Sequence, residues 1–231
     1  MVNSKVLRRL HRWVGLLFSL TVMMSAGSGV LHTVMSRTQP PPPKAAPAEP
    51  VPMDRVVIGV REAFDRVPKA GSSPRSVSIR TIGTRPWYQF ILPEGEGTHY
   101  VSADTGEYDA LADELYAREI ASGHLAGAQA RRTAYLEEYD EEYINIFRIL
   151  PVYRFDVEDR LHTRVYVSTM TGSVTRHTDD RRQWEASIFS NVHKFMFIKD
   201  KDLRDTALVF ATLGAFVVSV IGVLLFSMSR K

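Results

Sequence analysis

The sequence contains no cysteine. This absence excludes a disulfide framework, Cys-ligated zinc, an iron–sulfur cluster, a covalently attached c-type haem and a thiol nucleophile. Motifs for nucleotide and hydrolase chemistry are missing too, since the chain has no Walker sequence, no GxGxxG and no GxSxG. The chain contains instead two long apolar runs, seven histidines and a polar segment between the runs.

Side chains of Asp, Glu, Lys and Arg are absent from two stretches of 24 residues, 13–36 and 206–229. The hydrocarbon core of a bilayer is about 30 Å thick, and about 20 apolar residues of helix cross it. We therefore predict two transmembrane helices, at 13–36 and 205–229. The first stretch is longer than the apolar region of a signal peptide and contains Met23 and Met24, which favours an uncleaved helix.

Basic residues are concentrated at the two ends of the sequence. Residues 1–12 carry four Lys or Arg side chains and no acidic one, and Arg230 and Lys231 follow the second apolar stretch. Because basic residues concentrate on the cytoplasmic side, we predict cytoplasmic ends at 1–12 and 230–231 and a periplasmic central domain, in the inner membrane of a bacterium. These ends also account for the net charge of +3. That charge therefore predicts no nucleic-acid binding, and membrane lipid is the expected surrounding.

The segment between the predicted membrane helices divides into three parts. Residues 37–52 are rich in proline and predict an extended spacer. Residues 53–182 predict a domain of helices and antiparallel strands, and 183–204 predict an amphipathic helix at the outer membrane surface. Within the domain we expect helices over 53–66 and most of 109–147, and strands over the following segments: 76–82, 87–93, 98–108, 152–159 and 162–177.

Two halves of this domain resemble each other in sequence. The segment YVSADTG at 100–106 matches YVSTMTG at 166–172, and WYQF at 87–90 matches VYRF at 152–155. The two offsets differ by one residue, which predicts a duplicated unit of a helix followed by antiparallel strands. A second interpretation stays open, because any two hairpins that turn at Thr-Gly share such a pattern.

Several of these segments together are similar to a known family. They are LHRWVGL at 10–16, the two hairpin segments, Arg181 with Trp184, and FSNVH at 189–193 ahead of the second apolar run. The chain resembles the PepSY-associated transmembrane proteins over nearly its full length. This resemblance implies an α+β membrane protein in which two transmembrane helices flank a periplasmic PepSY-like domain.

The resemblance also implies a function. Several members of that family are haem-b-containing reductases of ferric siderophores, with four membrane spans. We therefore expect an inner-membrane electron-transfer protein with haem b that reduces ferric iron or a ferric siderophore in the periplasm. This chain has two predicted spans, so we expect a homodimer that forms a four-helix bundle, or assembly with a larger membrane partner. Small residues in both spans favour such helix association.

Three histidines are the candidate haem ligands, because ionisable side chains in membrane helices are costly and usually functional. His11 and His32 lie near the two ends of the first span, about 31 Å apart along a helix and on roughly one side of it. His193 is the expected partner of His32 for a haem at the outer surface. No histidine lies in 203–231, so an inner haem would need His11 from two chains. Each of the three has an alternative role as an interfacial or packing side chain.

We expect ordinary structural roles for the remaining polar residues of the domain. The carboxylates within 137–142 are typical of a solvated helix face rather than an iron site. The other four histidines have no metal-binding spacing; they are His99, His124, His162 and His177. A non-enzymatic interpretation therefore stays open, in which the PepSY-like domain is a periplasmic binding or regulatory module and the helices are its anchor or an accessory subunit of a larger complex.

Overall fold

The computed structural model of the protein describes residues 4–44, 47, 49–68, 72–93 and 97–229. It divides into two compact units, one of Met1–Pro41 with Arg181–Lys231 and the other of Pro42–Asp180. Two segments of the predicted cytoplasmic ends lie outside the described residues. They are residues 1–3 and the predicted tail at 230–231.

The first unit contains two long apolar helices. Helix α1 covers Ser4–Thr38 and α5 covers Lys201–Ser229. Both are long and apolar enough to cross a membrane, a criterion that a signal sequence near an N-terminus also meets. Most of their large apolar side chains are exposed, as is Leu17 at 67%. Between them in sequence lie α4, Asp180–Ile188, and a π-helical turn, Phe189–His193.

Helices α1 and α5 pack against each other through small residues. The buried ring of Phe18 lies over Gly214 and 5.2 Å from the ring of Phe210. A methyl group at Gly214 would come within 2.2 Å of the Phe18 ring, so glycine leaves the room that this ring occupies. Gly15 faces Val218 at 3.8 Å from the position that a Cβ atom would take. Small residues therefore allow the close approach of the two helices, as the sequence predicts.

The helix predicted over 183–204 is wrong in its second half. Helical structure ends near His193, and residues 195–200 form a turn before α5 begins. The side chain of Asp200 accepts the backbone N–H of Leu203 at 2.7 Å, which is a typical N-cap contact. A capping aspartate therefore starts a new helix where the apolar pattern alone predicts a continuous one.

The second unit contains two antiparallel sheets with the strand orders β1-β2-β3 and β4-β5-β6-β7. Helix α2, Val60–Phe64, precedes the first sheet, and α3, Ala112–His124, precedes the second. The predicted α+β class is therefore confirmed. The strands are β1 Ser76–Ile82, β2 Arg85–Ile91, β3 Thr98–Ser102, β4 Ala130–Leu136, β5 Val152–Val157, β6 Arg164–Ser168 and β7 Ser173–Thr178.

The matching sequence segments occupy equivalent places in the two sheets. Gln89 of β2 pairs with Tyr100 of β3, and Arg154 of β5 pairs with Tyr166 of β6. Both tyrosine side chains are fully buried, at 1% and 0% exposure. The two halves of this unit therefore share one hairpin register.

The helix predicted over most of 109–147 is wrong after its first third. Apart from a 3₁₀ turn at Asn145–Phe147, only α3 is helical there, because residues 130–136 pair with β5 as strand β4. The acidic residues of 137–142 lie in a loop and not on a helix face. The helix predicted over 53–66 is also shorter, since it reduces to α2 and a 3₁₀ turn at Met53–Arg55. Pairing with a distant strand overrides the local pattern in β4.

Gln89 joins the two sheets through buried hydrogen bonds. Its Nε2 atom donates to the Tyr100 hydroxyl at 2.6 Å and to the Thr169 carbonyl at 3.0 Å. Its Oε1 atom accepts from Ser78 Oγ at 2.9 Å and from Arg80 Nε at 3.0 Å. Because Gln89 is fully buried, these partners satisfy an amide that would otherwise cost folding free energy.

Candidate functional site

Polar side chains of α1 meet polar side chains of α4 and of the π-helical turn along one line. Three of them follow each other on α1 at four-residue spacing, which puts them on one face of the helix. Two of the three predicted haem ligands belong to this line. The line, called the polar seam below, consists of Ser28, His32, Ser36, Gln39, Glu185, Phe189 and His193.

Glu185 is the main acceptor of the polar seam. Its Oε1 atom lies 2.8 Å from Nδ1 of His32 and accepts the Ser36 hydroxyl at 3.1 Å, and its Oε2 atom accepts from Gln39 Nε2 at 2.7 Å. The residue is only 8% exposed. An ionised carboxylate accepts and does not donate, so the contact with His32 places the imidazole proton on Nδ1.

The imidazoles of His32 and His193 contact the same aromatic ring. The Phe189 ring centroid lies 4.8 Å from that of His32 and 4.7 Å from that of His193, the second pair being nearly parallel at 12°. Ser28 Oγ lies 3.1 Å from Nδ1 of His193. The structure therefore brings His32 and His193 into one cluster, in which His193 contacts Ser28, one helical turn from His32 on α1.

Both imidazoles use Nδ1 for a contact inside the polar seam. Within the described part of the chain, neither Nε2 atom makes a hydrogen bond. The side chain of His32 is 51% exposed. A metal-ligating histidine usually binds the metal through one nitrogen and donates from the other to a carboxylate or hydroxyl group. The polar seam supplies that arrangement for His32 through Glu185.

The two imidazoles of one chain do not enclose a haem. An iron shared by both would lie about 2 Å from each Nε2 atom, with the porphyrin between the rings. Here Phe189 contacts both rings. Among the residues that the structure describes, no group of three or more His, Asp or Glu side chains forms a metal cluster. The contacts of one chain therefore do not show the two imidazoles sharing one iron, and the haem role of His32 and His193 stays a prediction.

A groove of about 570 Å³ lies beside His193. Its walls come from α1, α5 and the turn after the π-helical segment. Small side chains line it on both helices, at Ser25, Ala26, Ala211 and Ala215. A cavity of this size is in the range of small-molecule and cofactor sites.

His11 occupies a different environment at the other end of α1. Its ring packs against Gly222 of α5, with Cε1 at 3.4 Å from the position that a Cβ atom there would take. Its Nδ1 atom is buried and has no hydrogen-bond partner among the described residues. His11 is therefore turned toward α5 of its own chain and lies apart from the polar seam.

The four histidines of the second unit all have polar partners in that unit. Nδ1 of His162 lies 2.6 Å from the Asp180 carboxylate, and Nε2 of His124 lies 3.2 Å from Nδ1 of His177. His99 contacts the Tyr108 hydroxyl at 3.0 Å. The structural roles that the sequence predicts for these histidines stay a prediction.

Sequence reasoning missed Glu185 as a member of the site. The spacing of His32 and Ser36 shows that they share one face of α1, and Gln39 directly follows the helix. The sequence does not show which helix covers that face. The one acidic residue of the segment WEASIFSNVH was the available signal, because a lone carboxylate near two histidines is a natural hydrogen-bond acceptor.

Comparisons with protein-family models, with curated proteins and with solved structures find no match to this chain. The resemblance to PepSY-associated transmembrane proteins therefore stays a prediction from the sequence motifs.

Proposed function

We propose that this protein is a membrane-anchored electron-transfer protein that binds haem b, and that each haem at the His32 end of α1 is held between two copies. The single observation that carries the proposal is the polar seam. It holds two imidazoles by Nδ1 and leaves both Nε2 atoms without a hydrogen bond to any described residue, beside apolar helices long enough to cross a membrane. Haem, when bound, supplies the one-electron chemistry.

The residues of this chain would hold and orient the haem. His32 and His193 are the proposed axial ligands, and Glu185 is the residue that orients His32. The groove beside His193 offers an apolar wall of small side chains against which a flat macrocycle can lie. His11 is proposed as the ligand of a second haem at the inner side only if its ring turns away from Gly222.

The proposed location is the inner membrane of a bacterium, with the second unit in the periplasm. The proposed electron acceptor there is ferric iron or a ferric siderophore, which the resemblance to the PepSY-associated family implies. The length and exposure of the apolar side chains on α1 and α5 support the membrane part of this proposal.

An absorbance spectrum tests the proposal. Full-length protein is purified in detergent from cells supplied with haem, and the dithionite-reduced minus oxidised spectrum is recorded with haem quantified per chain. We expect a b-type α band at stoichiometric haem. The variants His32→Phe and His193→Phe should lose most of it, because an apolar ring cannot ligate iron.

His162→Asn is the matched control, since His162 lies in the second unit and has a φ of 49°, a conformation that asparagine adopts readily. This variant should keep its full haem content. A featureless spectrum from the unmodified protein would contradict the haem proposal. Full haem in both His32→Phe and His193→Phe would contradict the ligand assignment.

A second candidate function needs no cofactor. In it, the second unit is a binding or regulatory module and the two long helices are an anchor or an accessory subunit. The observation in its favour is that Phe189 packs on both imidazoles and their Nδ1 atoms have partners within one chain, so the polar seam is a satisfied helix contact as it stands. A featureless spectrum together with co-purification of a membrane partner is the outcome expected of this function.

A further inference from the structure

A cleft in the second unit lies between α3 and the edges of the two sheets. Its volume is about 270 Å³, near the lower end of the range of small-ligand sites. Ile79 of β1, Ile120 of α3 and Val174 of β7 form its apolar walls. Strands β1 and β7 are outer strands of their sheets, so the cleft forms where the two halves of the unit meet.

One end of the cleft carries positive charge and a hydroxyl group. The Arg80 guanidinium lies 5.8 Å from the centroid of the Tyr116 ring. It donates from Nε to Gln89 and from Nη2 to the Met170 carbonyl at 3.0 Å, and it also forms a side-chain hydrogen bond with Tyr116. Gly172, with a φ of 65°, has no side chain to block this end of the cleft. A Cβ atom at Gly172 would lie 2.6 Å from the Tyr116 hydroxyl and 3.3 Å from Nη1 of Arg80.

Negative charge lines another part of the cleft. Glu119 of α3 and Glu49 of the proline-rich segment both line it. Oε1 of Glu119 accepts the backbone N–H of Gly83 at 2.7 Å, and the side chain makes no ion pair with any residue that the structure describes. Partial burial raises the pKa of the Glu119 carboxyl, an effect that the Gly83 N–H opposes. A bound cation would favour the charged carboxylate and so oppose this effect of burial.

A buried polar atom also lines the wall between these charges. His124 is 6% exposed and borders the cleft. Its Nε2 atom contacts His177, whereas its Nδ1 atom is buried without a hydrogen-bond partner in the described part of the chain. Buried polar atoms are rarely left unpaired in folded proteins, and such an atom at the wall of a cavity points to a missing ligand group or water.

We propose that this cleft binds a small zwitterion with an apolar body, such as a free apolar amino acid. The ligand's carboxylate binds at Arg80 and Tyr116, its ammonium group binds at Glu119 and Glu49, and its side chain packs between Ile79, Ile120 and Val174. A purely anionic ligand would face two carboxylates, and a purely cationic one would face the guanidinium. Only a ligand with both charges pairs with each group.

The proline-rich segment takes part in this site. The Pro50 carbonyl accepts the Thr81 hydroxyl of β1 at 3.1 Å, and Pro47, Glu49 and Val51 line the cleft. A ligand bound by Glu49 would therefore also hold this segment against β1.

A titration tests the proposal on the full-length protein in detergent micelles. Alanine, leucine and phenylalanine are the probes, and saturation-transfer NMR measures binding. We expect saturable binding of at least one of the three. For the amino acid that binds best, the amide that lacks the carboxylate and the deaminated acid that lacks the ammonium should each bind about tenfold more weakly or worse, because a charge-assisted hydrogen bond is lost in each case.

Glu119→Gln is the decisive variant. Glutamine keeps the acceptor for the Gly83 N–H but removes the charge, so the fold is retained and binding should weaken about tenfold or more. Glu158→Gln is the matched control, an exposed glutamate that does not line the cleft, and it should bind as the unmodified protein does. The proposed contact between the ligand's carboxylate and Arg80 is tested by changing the ligand and not by changing Arg80. Arg80 also donates a hydrogen bond to the buried Gln89, so its substitution would affect the fold.

Three results would overturn the proposal: no saturable binding of any of the three amino acids, equal binding of the amide or the deaminated acid, or unchanged binding by Glu119→Gln. The proposal does not depend on haem. Glu119→Gln should keep the haem content of the unmodified protein, so failure here and failure of the haem proposal are separate results.

Discussion

The carboxylate of Glu185 contacts two side chains of α1 and the side chain of Gln39, which directly follows the helix. The contact with His32 places the imidazole proton, whereas the bonds from Ser36 and Gln39 keep the carboxylate in position. A buried carboxylate without such partners would be costly. One residue therefore stabilises the helix contact and orients a candidate ligand.

His124 is a second residue whose environment has a measurable consequence. Burial lowers its pKa below the ordinary value of 6.5. As the pH falls through that value, the unfolded chain takes up a proton that the folded chain resists, so the free energy of unfolding decreases. We predict that the second unit loses thermal stability from about pH 6.5 downward and that His124→Gln reduces this dependence.

Thermal unfolding of the full-length protein, followed by near-ultraviolet circular dichroism across this pH range, checks the prediction. His99→Gln is the control and should keep the slope of the unmodified protein. An identical slope in His124→Gln would show that other groups cause the pH dependence.

At the scale of elements, the contact between α1 and α5 depends on one glycine. Phe18 lies in the space that a side chain at Gly214 would fill. Hydrophobic transfer does not drive helices together in lipid, so in the proposed membrane this close packing is a main source of their association. A change of one methyl group at Gly214 is therefore expected to separate the pair.

We predict that Gly214→Ala weakens the α1–α5 contact by about 1–3 kcal/mol, the usual cost of overpacking. The absence of native cysteine allows a direct measurement. Cysteines introduced by Gly15→Cys and Val218→Cys should cross-link on oxidation, since a Cβ atom at Gly15 would lie 3.8 Å from Val218. The cross-linking rate should fall several-fold in Gly214→Ala. Gly27→Ala, where no atom lies within 4 Å of the added methyl group, should leave it unchanged.

At the scale of the whole molecule, the proposed haem sites are shared between two copies. His32 and His193 both pack on Phe189 in one chain, and the proposal therefore takes the opposite ligand of each haem from the second copy. In a symmetric dimer, His32 of one chain and His193 of the other would meet at two equivalent sites. This arrangement also supplies four long helices, as the predicted bundle requires.

Co-expression of two inactive variants tests the dimer. A pair made of one His32→Phe chain and one His193→Phe chain would keep one intact site, so random pairing should restore about a quarter of the normal haem content. Ligation within a single chain predicts no recovery, because every chain then lacks one ligand. The matched control is His193→Phe co-expressed with itself under a second tag, which should show no recovery.

Local patterns in the sequence were enough for the features that depend on neighbouring residues. The two apolar helices follow from charge-free stretches, and the hairpins follow from alternation with turns at glycine. The shared register of Gln89 with Tyr100 and of Arg154 with Tyr166 was visible as a repeated motif. The clustering of His32 and His193 was also predicted, from their positions beside the two apolar runs.

Features that depend on distant partners appeared only in the tertiary structure. Strand β4 forms because β5 pairs with it, Glu185 joins the polar seam because α4 covers one face of α1, and the cleft exists because two sheet edges meet α3. None of these partners lies within one helical turn or one hairpin in the sequence. Hydrogen bonds and packing between remote segments decide such contacts, and local hydropathy carries no information about which remote segment supplies them.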